Sequence, residues 1–200
     1  MRSGVSVVRP ILLFVLVVFL VLPAFPGAIF ADEDAEKDTI INEIVRYVKN
    51  KNIKLSEDGL RQMAGTVYEE SKVHDVDYRL ALAVIRVESN FRQDAVSRHG
   101  ARGLFQIKPV LAKYIAKDVG VPYKTPKCLD DPENNIKLGV YHLSQLMDDF
   151  QSTVTALHAY NVGQYKVKKK LFKYGESSSP FTKRVLKEYE RNVEVLPDPE

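Results

Sequence analysis

Apolar residues recur along most of this chain at intervals of three and four, the spacing that gathers side chains on one side of an α-helix. Ile40, Ile41, Ile44, Val45 and Val48 form one such stripe. Leu60, Met63, Ala64, Val67 and Tyr68 form a second, and Ser56 followed by acids reads as its N-cap. The pattern predicts a third helix from about Tyr78 to Asn90. Residues 91–109 contain Gly100 and Gly103 and read as a loop. Asp131-Pro132 joins a cap to a first-turn proline and predicts a helix reaching about Phe150. Thr153 to Tyr160 reads as a short apolar helix, and Ser179-Pro180 opens a last one that ends near Val193. No segment sustains the alternation of a strand. The expected fold class is therefore mainly α.

The N-terminus is patterned differently. Arg2 and Arg9 precede an uncharged run from Ile11 to Ala31, whose heart is ILLFVLVVFLVL. Pro23 and Pro26 follow, then small residues, then the acidic stretch Asp32 to Glu36. Charged, apolar and small-residue parts in this order make a secretory signal. An uncleaved membrane anchor is the alternative, because the run is about long enough to span a bilayer. Both readings place the rest of the chain outside the cytoplasm, since the arginines stay inside. The expected location is the periplasm or cell envelope. The segment 32–55 begins polar and is expected to act in part as a loose tether.

Charge narrows the partners. The net charge is +3, but removing Arg2 and Arg9 from the 29 basic residues leaves 27 against 26 acids. Near-neutrality of the exported part gives no reason to expect a nucleic-acid partner. Removing the leader also leaves about 170 residues, enough for one domain with its own core. The single cysteine, Cys128, excludes an internal disulfide and has no convincing base partner. His74, His99, His142 and His158 lack ligand spacing, so neither a metal nor a cofactor is expected. The lysines at 168–170 read as a solvated helix face. A monomer is expected.

One acid is placed against the pattern. Glu88 shares a helix face with Ala81, Val84 and Ile85, the positions seven, four and three before it. A carboxyl directed along an apolar stripe resists ionisation and stays protonated near neutral pH. A general acid for a glycosidic oxygen needs that state. On spacing alone, a glutamate at a helix end that bends out to solvent fits as well.

The surrounding text decides between them. Residues 88–109 read ESNFRQDAVSRHGARGLFQIKP, and two further blocks are LDDPENNIKLGVYHL at 129–143 and ALHAYNVG at 156–163. In this order they closely resemble the soluble lytic transglycosylase family, whose domain has a goose-lysozyme-like fold. The matching positions in the first block are Glu88, Ser89, Phe91, Ala95, Ser97, Gly100, Ala101, Gly103, Leu104, Gln106 and Pro109. The resemblance covers about 57–195. The chain departs from the pattern at Phe105, where Met is usual, and at Lys108, where an apolar residue is common. Glu176-Ser177 stands one residue out of register with the family's Glu-Thr.

The resemblance implies a lysozyme-like (goose-type) helical domain behind an N-terminal export leader. The implied boundaries are 1–31 for the leader, 32–56 for tether and leading helix, 57–195 for the domain and 196–200 for a tail. It implies cleavage of the β-1,4 bond between N-acetylmuramic acid and N-acetylglucosamine in peptidoglycan glycan strands, with Glu88 as acid and base. Ser97 is implied to lie beside the sugar and Glu88, and Gln106, the Gly103-Leu104 backbone and Phe105 to line the groove. Tyr160 and Asn161 are implied to face Glu88 from the opposite wall, and Tyr189 to approach its carboxylate. The acids Asp130, Asp131 and Glu133 read as caps and a first helical turn, and Asp94 as a loop residue, which leaves no water base. A 1,6-anhydro product is therefore expected, with a hydrolytic lysozyme and a weakly active peptidoglycan-binding component as alternatives.

Overall fold

The computed structural model describes residues 26–174 and 178–199 except 52 and 54, with side chains described from 34 on and not over 170–174. Residues 1–25 of the expected leader and the pair Glu176-Ser177 lie outside the described residues. Among the described residues eight α-helices follow one another: α1 (Pro26–Lys49), α2 (Glu57–Val73), α3 (Tyr78–Ser89), α4 (Pro109–Ile115), α5 (Pro132–Phe150), α6 (Thr153–Val162), α7 (Gln164–Tyr174) and α8 (Pro180–Val195). A 3₁₀ turn, Pro126–Asp130, precedes α5. Two isolated bridges, Val96 with Arg102 and Arg102 with Ile107, are the β-type pairings among the described residues.

Local chemistry starts most of these helices where the caps predict. Ser56 accepts from the Gly59 amide at 3.1 Å, and Asp131 from that of Asn134 at 2.9 Å. Ser179 accepts from the amide of Thr182 at 3.2 Å, with Pro180 in the first turn. Each bond satisfies an amide that the helix cannot pair internally. The expected loose tether is corrected. Helix α1 runs unbroken through residues 32–49, and Ile40, Ile41, Ile44, Val45 and Val48 are buried, packing α1 on α2. Its polar stretch from Asp34 to Thr39 is exposed or half-buried, and the turns that follow are core.

Helix α3 is the axis of the fold. Every residue from Tyr78 to Ile85 is buried, so the helix is enclosed all round, with α2 and α8 packed on it. Its N-terminus is tied to the chain's end. Buried Arg79 pairs with Asp77 at 2.9 Å and with Asp198, and its carbonyl accepts from Asn192 Nδ2 at 2.8 Å. The hydroxyl of Tyr78 donates to the Pro197 carbonyl at 2.5 Å.

The loop after α3 is held as firmly as a helix. Asn135, fully buried on α5, accepts from the Phe105 amide at 2.7 Å and donates to the Arg102 and Leu129 carbonyls, both at 2.9 Å. Gly103 has φ +75, and a Cβ there would sit 2.2 Å from Asn135 Nδ2. Gly139 leaves room for the Phe105 ring, which a Cβ would meet at 2.1 Å. Arg102 closes the outside with two bonds to Asp130 at 2.8 and 2.6 Å.

Candidate active site

Glu88 lies in the last turn of α3, where enclosure ends and the helix opens on a cleft of about 510 Å³. Two residues in left-handed conformation follow, Asn90 (φ 54) and Phe91 (φ 60). A bulky residue at positive φ is costly and persists only when its surroundings hold it. Phe91 is fully buried and meets Tyr47 edge to face at 6.4 Å. The bend turns the chain away directly after Glu88, so the loop 91–107 wraps back to form one wall.

That wall carries Ser97 and Gln106, and α6 supplies Tyr160 and Asn161 opposite. Ser97 Oγ accepts from the amides of Ala101 at 3.0 Å and His99 at 3.3 Å. Gln106 (φ 50) donates from Nε2 to the Ala95 and Gly103 carbonyls at 3.0 and 2.9 Å. Its amide nitrogen is therefore committed to the loop. The Tyr160 hydroxyl donates to the Phe105 carbonyl at 2.7 Å, and its ring stacks on Phe181 at 6.3 Å. This bond joins the two walls.

Burial pushes the Glu88 carboxyl up from the usual carboxylate range to about 7, against a smaller downward pull from the Arg184 guanidinium. Among the described residues that line the cleft, Glu88 is the only carboxyl. Asp94 is exposed and does not line it. Asp130 is paired with Arg102, Asp131 caps α5, and Glu133 pairs with Lys137 at 2.7 Å. The cleft can thus give a proton from Glu88 at neutral pH and take it back.

Glu88, Ser97, Gln106, Tyr160 and Asn161 come together as the sequence suggests. Leu104, Phe105 and Tyr189 do not line the cleft. The Leu104 and Phe105 side chains are buried in the core beneath the loop, because the Asn135 clamp and the space at Gly139 draw them inward. Gly103 is likewise behind the wall, against Asn135. Tyr189 donates to Asp77 Oδ2 at 2.7 Å, at the other end of α3 from Glu88.

Two lining residues escape a sequence reading. His142 on α5 faces Tyr160 at a ring distance of 5.3 Å, and burial pushes its imidazole down to about 4, so it is neutral. Screening histidines for ligand spacing passes over it, although it closes the block 129–143. Tyr114 on α4 lines the cleft at 77% exposure, beside Val110 at 62%. A large exposed aromatic on a cleft rim has no packing role to explain it, and the four-residue spacing of the pair was the available signal.

Comparison with known proteins places this geometry. A family model described as the transglycosylase SLT domain matches residues 66–179. Over 96 residues the chain is 34% identical to the soluble lytic murein transglycosylase of Salmonella typhimurium, covering 47% of this chain and 15% of the relative. Over 107 residues it is 32% identical to the membrane-bound lytic murein transglycosylase C of Photorhabdus laumondii, covering 48% of this chain and 30% of the relative. The chain thus spans less than a third of these relatives. An inactive variant of the lytic transglycosylase Slt of Pseudomonas aeruginosa superposes with a TM-score of 0.58 at 28% identity, covering 66% of this chain and 24% of that one. The 70-kDa soluble lytic transglycosylase of Escherichia coli gives a TM-score of 0.58 over 74% of this chain and 29% of that one. At 24% identity it speaks for the fold.

Proposed function

Because the chain belongs to the transglycosylase SLT domain family, we propose that it is a lytic transglycosylase of peptidoglycan, cleaving the N-acetylmuramic acid–β-1,4–N-acetylglucosamine bond with Glu88 as its single acid and base. The observation that carries this reading is Glu88, a half-buried carboxyl on the cleft that burial pushes up to about 7. Glu88 donates its proton to the glycosidic oxygen as the bond to muramic C1 breaks. The 2-acetamido carbonyl of the same sugar supports the positive charge at C1, as in substrate-assisted glycosidases. Glu88, now a carboxylate, removes the proton of the muramic 6-hydroxyl, whose oxygen bonds to C1. The acid is regenerated, no water enters, and a 1,6-anhydro ring closes.

Inverting glycosidases need a second carboxylate to activate water, and retaining ones a nucleophile. Glu88 has neither beside it among the described lining residues. The 6-hydroxyl belongs to the reacting sugar and has a high effective concentration. Ser97, Gln106, Tyr160 and Asn161 orient the glycan between the walls, while Gly103, Leu104 and Phe105 hold the loop that carries Gln106.

The domain at 57–195 sits behind the leader at 1–31, and its place is the cell envelope, whether released or anchored in the membrane. Relatives named both soluble and membrane-bound are compatible with either state. Among the described residues no helix is long and apolar enough to cross a membrane. A reporter active only in the cytoplasm, fused at Glu200, should be silent. Mass spectrometry of digested cell-wall sacculi tests the chemistry. The expected product is one water lighter than a hydrolytic product; a mainly heavier, borohydride-reducible product would identify a hydrolytic lysozyme.

A further inference from the structure

A second cavity, of about 360 Å³, opens along the contact of α3 with α8. Val87 and Asn90 line it from α3, on either side of Glu88 in sequence. The rest of its lining is charged: Arg86, Arg184, Lys187 and Arg191, with Glu188 as the one acid among the described lining residues. Glu188 is buried and already committed. It accepts from the Tyr47 hydroxyl at 3.0 Å and pairs with Arg191 at 3.1 Å, Lys51 at 3.5 Å and Arg86 at 3.9 Å. The positive charge around the cavity is therefore in large surplus. Elsewhere on the surface, cations such as Lys37, Arg61 and Lys137 each carry an acid partner.

The cavity lies beside the residue that opens on the cleft, since Val87 and Asn90 flank Glu88. Arg184 lines the cavity, and its charge is felt at Glu88. A cationic cavity beside a groove for a polymer favours the anionic branches of that polymer. In peptidoglycan those branches are peptide stems, which leave the lactyl arm of the muramic acid whose C1–O bond is cut. A stem thus begins next to the sugar held at Glu88, and carries several carboxylates.

We propose, resting on the reading of the cleft as a peptidoglycan site, that the α3–α8 cavity binds the carboxylates of the peptide stem at the cleaved muramic acid. Arg184 and Lys187, both exposed, make the contact, and buried Glu188 pairs with Arg86 and Arg191 beside them. Strands that bear free stems then bind better than strands whose stem charges are masked.

The test is calorimetric titration of the full chain in the Glu88→Gln background, which does not consume its ligand. One probe is an uncrosslinked glycan fragment with free stem carboxylates, the other its methyl ester. Adding Arg184→Gln and Lys187→Gln together should raise the Kd for the free-acid fragment about three- to tenfold, as two exposed charge contacts would. The same pair should leave the ester unchanged. Lys183→Gln, on the same helix outside the cavity, should change neither. Equal binding of both fragments by the parent, or equal loss of both in the double variant, would overturn the proposal. So would displacement of the free-acid fragment by a glycerol-phosphate wall polymer at lower concentration, which would assign the cavity to a phosphodiester. Failure of the parent to bind either fragment would instead defeat the peptidoglycan reading itself.

Discussion

The two ends of α3 each hold a carboxyl partly withdrawn from water, and the two behave oppositely. At the N-terminus, burial pushes Asp77 up, but hydrogen bonds from Arg79 and Tyr189 and the Arg79 charge outweigh it, leaving the group below the usual carboxylate range. At the C-terminus burial pushes Glu88 up to about 7, and only the Arg184 charge opposes it. Burial alone therefore does not decide protonation; the donors supplied to the buried oxygens do. Glu188 repeats the lesson: burial is again the largest influence, yet Tyr47, Lys51, Arg191 and Arg86 bring the group below its ordinary value. One end of α3 is saturated and holds the fold together, whereas the other is left short of partners and can do chemistry.

The largest effect is expected where the unsaturated end is removed. Glu88→Gln keeps the shape and loses the transferable proton, so turnover on sacculi should fall by on the order of 10²–10⁴-fold. Retention of more than about a tenth of the rate would reject Glu88 as the acid. The saturated end should respond in the other currency. Asp77→Asn preserves an N-cap but leaves buried Arg79 facing only exposed Asp198. It should cost about 2–3 kcal/mol in urea unfolding, with turnover per folded molecule near that of the parent. A large loss of turnover at full stability would erase the distinction between the ends.

The pH dependence sharpens the comparison because the two signs differ. Glu88 titrates higher folded than unfolded, so its favourable contribution is complete below the unfolded value and is lost as pH rises to about 7. Glu88→Gln should therefore be more stable than the parent at pH 8, by on the order of 2 kcal/mol, and the advantage should shrink towards pH 4.5. Asp77 titrates lower folded, so its contribution is present above the unfolded value and disappears as pH falls through the folded one. Asp77→Asn should flatten only that acid limb. Activity should decline as pH rises through about 7, and a rate climbing steadily from pH 5 to pH 8 would contradict the assignment.

The smallest effect is expected from Tyr189→Phe. Its hydroxyl serves Asp77, which keeps Arg79 as donor, so the loss should be about 1 kcal/mol of stability with kcat and KM unchanged. A selective drop in kcat would return Tyr189 to the neighbourhood of Glu88. Tyr160→Phe is the matched control, since removing its bond to the Phe105 carbonyl should loosen the wall and lower kcat.

Much of this arrangement is legible in the sequence. Ser56, Asp131-Pro132 and Ser179-Pro180 mark helix starts because capping is a contact within four residues. Glu88 stood out because its face neighbours are apolar. Helix α4 was not legible: it has seven residues and no side-chain cap bond. Helix α7 is rich in lysine, with Val167 its one buried residue among those described, so the periodicity is faint.

The sequence by itself determined the longer helices and their order, the place of the acid and the family, because each depends on residue identity at short spacing. Only the tertiary structure decided which side chains reach Glu88. Tyr160 faces it and Tyr189 does not, a difference set by how α6 and α8 turn against α3. The same holds for Leu104 and Phe105, drawn inward by Asn135 from 30 residues away in sequence for the Phe105 bond. The protonation of Glu88 also belongs to the fold, since it follows from solvent excluded by helices distant in sequence and from the donors they fail to bring.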